Sequence, residues 1–473
     1  SPGWGALTGS GGGNITKFHG DASASIYSAA SSVDAVVQIA FDADAGKMWI
    51  GRNNTWLASG DPAAGNNPIY DDLTAGNIMP YGGGYHVNDI GVMNFGQDST
   101  FAGEDTGGAG AADGNSKGDF YYAPPSGFLA LCTNNLPDCA VIPSEHFKTL
   151  LYPGTGSSNA LTGVGFAPDL TWIKGRNVAY DHKIYDTIRG ATKRLETNNA
   201  NAEATTSELT AFGTDGFTVE ANAANHGSYI YVAWNWKAGT AFSNDASSTS
   251  VGSIDSAGEV NDAAGFSIVS YVGGNTGSST LVHGQSVAPE MVIIKNRDAA
   301  NEDWWVFAST YATRIKLNST DDDEGNYNLG YANALITLPS LNNSAWSTAV
   351  NYIAYCFRSI DGYSKIGNFI GNGSADGTFV YTGFKPAYVL IKKESANSSV
   401  GWFVWDTARS PKNVAGLQLY PNLANSESSA SVDLDILSNG FKMRGTYTDY
   451  NLNNATFLYY AVAETPFKYS NGK

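Results

Sequence analysis

The sequence predicts an all-β protein: tandem β-sandwich or jelly-roll-like domains, one distinct module followed by three related units. Three observations predict it. Charged residues make up only 15% of the chain, while aromatics reach 12% and glycine numbers 54; that balance is strand- and turn-rich and is not the composition of a disordered chain. No stretch carries the helical period, and none has the roughly 18 unbroken apolar residues that a membrane helix needs. Finally, one short sentence recurs, as GFAPDLTWIKGR (Gly165 to Arg176), SVAPEMVIIKNR (Ser286 to Arg297) and GFKPAYVLIKKE (Gly383 to Glu394).

At 473 residues the chain is too long for one ordinary core, so three or four domains are expected. A formal charge of −17 repels phosphate backbones, which argues against nucleic-acid binding and suits a soluble protein, including one facing salt water. Cys132, Cys139 and Cys356 are an odd set, read as buried free thiols although CTNNLPDC would allow a small disulfide loop. The chain starts at Ser1 without Met, which implies missing upstream residues or numbering inside a larger protein.

Residues 1–137 form the first predicted domain. In VVQIAFDADAGKMWIG, Gln38, Ala40, Lys47, Trp49 and Gly51 alternate with Ile39, Phe41, Met48 and Ile50 on either side of DADAG. Period two on both sides predicts a hairpin turning at Asp44-Ala45-Gly46. Asp42 and Asp44 suggest a calcium loop, but no acidic ligand follows at closing distance, so the turn reading is preferred. The later stretches GKMWIG, NNTW, NFGQDSTF and APPSGF resemble the C-terminal half of a SPRY domain, in versions found in tailed-phage structural proteins. That resemblance implies a β-sandwich binding partners through loops at one end.

The three sentences have matching surroundings. A strand with a Gly-rich turn precedes each: HFKTLLYPGTG, GFSIVSYVGGNTG and GYSKIGNFIGNG. Another strand follows, in DHKIYDTIRG, DWWVFAST and GWFVWDTARS, and each copy closes on YIYVAWNW, NYIAYCF or FLYYAVAE. FGTDGFTV and LSNGFKM add a hairpin to the first and third copies. The predicted units are residues 138–240, 263–360 and 361–473, with Ala238 to Ala264 as linker or surface loop and a rigid abutment of the last two. Pro168, Pro289 and Pro386, unable to donate to a ladder, are placed at strand starts. The apolar runs behind them are central strands, and Lys174, Lys295 and Lys392 end those runs where they would reach solvent.

Asp186 with Arg189 and Asp406 with Arg409 could form a carboxylate–guanidinium site, but their recurrence favours a structural clamp. Trp304, Trp305, Trp402 and Trp405 could stack sugars; their matching positions favour the core, as does the alternation of Trp234 and Trp236. No His or Cys spacing holds zinc, and no nucleophile elbow or phosphate loop occurs. Metal ligands, catalytic residues and cofactors are therefore all read as none. Binding, where it occurs, is expected where the copies differ: the second copy's loop with Asp321, Asp322, Asp323, Glu324, Tyr327 and Tyr331. The acidic knot lacks EF-hand spacing.

Across nearly the whole chain, FAPDLTWIKGR, IYDTIRGATKRL, YVAWNWKA and the ending FVYTGFKPAYVLIKK through YYAVAETPFKYSNGK resemble an uncharacterised repeat domain of marine tailed-phage structural proteins. That domain often follows a SPRY-like module. The resemblance implies a non-enzymatic virion protein, of tail-fibre, tail-tip or decoration type. Its β-domains would be strung like beads, its partners other virion proteins and a host-surface glycan or protein, and its assembly trimeric because phage fibres usually trimerise. A polysaccharide-degrading tailspike and a ligand-free ornament are the alternatives.

Overall fold

The computed structural model describes residues 4–8, 14–19, 22–28, 35–73, 92–136, 139–274, 278–310, 314–321, 329–339, 349–394, 400–429 and 433–467. The chain divides into two compact units, residues 1–137 and 138–473, each built of antiparallel sheets.

In the first unit, β1 (Trp4–Thr8), β2 (Asn14–His19) and β3 (Ala22–Ser28) form one sheet, and β4 (Val37–Asp42), β5 (Lys47–Arg52) and β6 (Thr55–Trp56) another. The β4–β5 hairpin has the expected register, Asp42 opposite Lys47 and Ala40 opposite Trp49. Asp42 Oδ1 accepts the Asp44 and Ala45 amides, and Gly46 takes φ 63°, so the acidic pair makes a turn. Ile15, Ile50, Leu57, Ile69, Tyr70 and Leu73 make a small core. Residues 92–136 hold no strand, where the SPRY resemblance implies several. They fold as turns around carboxylates joined by an isolated Ala111–Phe120 bridge. Burial alone would raise the Asp113 carboxyl, but hydrogen bonds from the Ala130, Lys117 and Asn115 amides and the Asn135 side chain hold it down at about 2.

The first copy in the second unit comprises β7 (Phe147–Pro153), β8 (Asn159–Thr162), β9 (Leu170–Gly175), β10 (Lys183–Asp186), β11 (Lys193–Glu196), β12 (Ala204–Thr205), β13 (Leu209–Gly213), β14 (Gly216–Val219) and β15 (Ile230–Trp236). They form a sheet ordered β12-β11-β10-β9-β15-β7 and a smaller one, β13-β14-β8. The second copy has β16 (Thr240–Asn244), β17 (Ser256–Asn261), β18 (Phe266–Val272), β19 (Ser279–Val282), β20 (Met291–Asn296), β21 (Trp304–Ala308), β22 (Arg314–Lys316), β23 (Gly330–Tyr331), β24 (Leu335–Leu338) and β25 (Asn351–Phe357). Their orders are β16-β17-β18-β25-β20-β21-β22 and β19-β24-β23. The third has β26 (Ser364–Ile370), β27 (Phe379–Tyr381), β28 (Phe384–Lys393), β29 (Trp402–Asp406), β30 (Leu434–Leu437), β31 (Gly440–Met443) and β32 (Thr456–Pro466), ordered β26-β32-β28-β29 and β27-β31-β30. One topology is thus written three times, and each copy is a two-sheet sandwich.

Each sandwich has its own core between large and small sheet: Tyr185 and Phe217 in the first copy, Phe307 and Ile336 in the second, Trp405 and Phe441 in the third. The other face of each large sheet is apolar as well. Trp172 and Trp234, Ile293 and Tyr355, Leu390 and Tyr460 hold equivalent places in the three copies and all join a single cluster. A 20 Å³ apolar void lies where the three meet. The copies are therefore not beads on a string. Buried on both faces, the motif strand carries apolar residues on both of them because its second face packs on the other copies.

Other expectations are corrected. Ala238 to Ala264 is no linker: it supplies β16 and β17, which widen the second copy's sheet. Pro168 and Pro289 precede β9 and β20, but Pro386 lies inside β28, where the ladder to β32 shifts register and no amide donor is needed. Lys174, Lys295 and Lys392 are wholly buried. Cys356 is buried as expected, whereas Cys132 and Cys139 are half-buried.

Candidate functional site

Three junctions close the copies into a ring, and their chemistry starts from the same positions. His182, just before β10, holds the place of Trp304 and Trp402, the first residues of β21 and β29, and each backbone N–H is held by an asparagine Oδ1, from Asn198, Asn318 and Asn422. The side chains then reach the preceding copy in the ring. Trp304 Nε1 donates to the Glu196 carbonyl at 2.9 Å and Trp402 Nε1 to that of Lys316 at 2.8 Å. His182 accepts the Trp172 indole at Nδ1, and the Tyr420 backbone of the third copy acts on its buried ring. Burial, aided by nearby Lys174, holds its pKa far below the usual imidazole value, so the ring is neutral.

The buried lysines serve the same junctions. Lys174 Nζ donates to the carbonyls of Gly175 (2.8 Å) and Val178 (3.2 Å), and Lys295 Nζ to those of Glu302 (2.5 Å) and Ala200 (3.4 Å). Lys392 donates to Thr320 and Val400. Ala200 and Thr320 belong to the neighbouring copy, so the Lys295 and Lys392 ammoniums satisfy carbonyls stranded where copies meet, whereas Lys174 bonds carbonyls of its own copy. Burial pulls the Lys174 pKa down to about 7 and that of Lys295 to about 8.

Asp186 and Arg189 form the expected clamp. The carboxylate accepts the Arg189 amide and its Nε at 2.5 Å, and Nη1 and Nη2 bind the carbonyls of Lys193 and Ile184. Asp406 and Arg409 repeat this with Leu417 and Val404. Each clamp continues into the next copy. Arg189 meets Glu203, which grips Arg297 of the second copy through two bonds at 2.9 and 3.1 Å. Arg409 meets Glu427, which grips Arg176 of the first copy at 3.0 and 2.9 Å. Tyr355 and Trp234 donate to Asp186 and Asp406 across the same two junctions.

The third junction differs. Where the other copies have the clamp aspartate, the second has Ala308; where the motif ends in Arg176 and Arg297, the third ends in Glu394. Glu394 accepts from Asn368 Nδ2, whose Oδ1 accepts the Thr310 hydroxyl of the second copy. Burial pushes the Glu394 carboxyl up to about 8. At the same junction, Lys316 Nζ bridges Asp303 (3.2 Å) and Asp321 (3.3 Å) and lies 5.6 Å from the Trp305 ring centroid, with the Arg314 guanidinium at 3.7 Å on the same ring.

Of the binding loop expected from sequence, Asp321 sits at this third junction. Partial burial would raise its carboxyl, but Ser319 and Lys316 hold it below its ordinary value. Tyr331 is no loop residue: it lies in β23, packs on the second copy's core and buries its hydroxyl. Asp322, Asp323, Glu324 and Tyr327 lie outside the described residues. Trp304, Trp305, Trp402 and Trp405 are all buried, so none is an exposed sugar platform. No group of three metal-ligating side chains occurs among the described residues.

Sequence reading missed an open cleft of about 210 Å³ lined by Leu151, Tyr152, Pro153, Arg176, Ile230 and Tyr231. Leu151 and Ile230 are 37% and 40% exposed there. Arg176 reaches it already fixed and neutralised by Glu427. The signal was present in the last letter of the motif, Arg in two copies and Glu in the third.

A scan against protein families matches residues 142–466, more than half of the chain, to the family described as "Domain of unknown function (DUF7483)". No curated protein and no solved structure matches the chain.

Proposed function

The chain belongs to the DUF7483 family, and we propose that it is a non-enzymatic virion protein that attaches a tailed phage to its host's surface. The shared core of the three copies carries this reading. Junctions that bury Lys174, Lys295 and Lys392 and tie Arg176 to Glu427 hold the copies in fixed orientation, so the surfaces that differ between them are presented on a rigid frame. Three units around one core also give a single chain the threefold frame expected of a trimeric fibre. Weak contacts to a surface glycan or protein are multiplied by the number of chains on a particle.

Adsorption of the labelled full chain to cells of the strain the particle infects tests this. Saturable adsorption that competes with the particle is expected. New reducing ends on incubation with host polysaccharide would point instead to a degrading tailspike. Particles that stay infectious without the protein, together with no adsorption, would make it an ornament.

A further inference from the structure

The first strand of each large sheet has its outer edge treated differently in the three copies. In the second copy, β18 is covered by β17, with Glu259 opposite Ile268 and Ala257 opposite Ser270. In the third, the outward amide of Ile366 on β26 donates to the Ser359 hydroxyl at 3.0 Å. In the first, β7 ends the sheet and no strand lies beyond it among the described residues. Gly154 N–H bonds the Tyr229 carbonyl and Lys237 N–H that of His146, so even-numbered backbone groups of β7 face β15. Those of Thr149 and Leu151 face outward.

We infer that an extended segment of another protein chain adds to β7 as an antiparallel strand, with an acidic side chain opposite Thr149 and an apolar one opposite Leu151. The second copy shows what such an edge accepts. Phe147 and Phe266 are equivalent through their partners Trp236 and Phe357, which makes Thr149 the counterpart of Ile268 and Leu151 that of Ser270. Glu259, opposite Ile268, accepts the Thr187 hydroxyl of the adjoining copy at 2.5 Å. On β7 the corresponding hydroxyl is that of Thr407, two residues before Arg409, and its side chain makes no hydrogen bond among the described residues. The Thr149 hydroxyl is a buried group that also has no partner among them. A carboxylate arriving at this register supplies an acceptor to both. Beside Leu151 the open cleft receives the apolar side chain two residues earlier in the incoming strand, since alternate residues share a face.

The probe is a fluorescein-labelled peptide copying residues 254–262 with Ala257→Leu, titrated by anisotropy against the full chain. Saturable binding is expected, weakened about tenfold when the peptide's Glu259 is changed to Gln. Thr149→Pro in the protein abolishes it, because proline removes the outward donor and leaves the bonds to β15 intact, as edge strands tolerate. Thr407→Val, which leaves β7 untouched, weakens binding of the Glu peptide more than that of the Gln peptide. No saturable binding, or binding that ignores both the Gln peptide and Thr149→Pro, overturns the inference.

Discussion

Arg176 and Glu427, 251 residues apart, are joined by two hydrogen bonds of 3.0 and 2.9 Å, and Glu427 also accepts from Arg409. One carboxylate thus anchors two guanidiniums from different copies, both mostly shielded from water. Glu427→Ala strands Arg176 and leaves Arg409 to Asp406 alone, and should lower unfolding stability by about 3 kcal/mol, more than Arg176→Ala does. Urea midpoints compared at constant m check this.

The Asp186–Arg189 clamp should be strongly coupled. Asp186→Ala alone leaves a fully buried guanidinium without its carboxylate and should cost about 3 kcal/mol. The double variant with Arg189→Met should cost less than the sum of the single changes, because the second copy does without an aspartate at the equivalent Ala308. A double-mutant cycle from urea unfolding measures the coupling; additive costs would contradict the clamp.

Two buried groups set opposite pH trends. Glu394 has a folded pKa raised by burial from its ordinary 4.5 to about 8. The folded state therefore holds that proton more tightly, and the contribution, full below the unfolded value, is lost as pH rises towards 8. Glu394→Gln should flatten the fall in stability over that window. Lys174, lowered from 10.5 to about 7, binds its proton more weakly when folded, so its cost diminishes as pH rises from 7 to 10. Lys174→Met should flatten that rise. Thermal midpoints of wild type and variants across pH 4 to 10 read both.

Removing one indole donor across a junction should have a modest effect. Trp402→Phe loses the bond to the Lys316 carbonyl and leaves that acceptor stranded, a cost of about 1–2 kcal/mol beyond repacking. The equivalent Trp304→Phe, which strands the Glu196 carbonyl, should cost about the same. Matching denaturation shifts for the two would support equivalent junctions.

What the sequence disclosed is what depends on near neighbours. The alternation around DADAG, the recurrent clamp and the same-face placement of Trp234 and Trp236 are all fixed within a few residues, and the structure keeps them. What it hid depends on packing between copies. An apolar run ending in Lys295 or Lys392 reads as a strand reaching solvent, because carbonyls that receive these ammoniums, those of Ala200 and Thr320, come from the neighbouring copy. Ala238 to Ala264 reads as a linker, because small and polar residues suit both a loop and an edge hairpin. Tyr331 reads as a loop tip, because a two-residue strand is too short to show a period.

The claim that the three copies form one body is tested most directly by amide hydrogen exchange on the full chain carrying Tyr388→Ala. Tyr388 is buried in the third copy and packs against Trp234 and Trp236 of the first. A shared core predicts that exchange protection falls together in β9, β20 and β28, one strand from each copy. Loss of protection confined to β28 and its own sheet, with β9 and β20 unchanged, would contradict it.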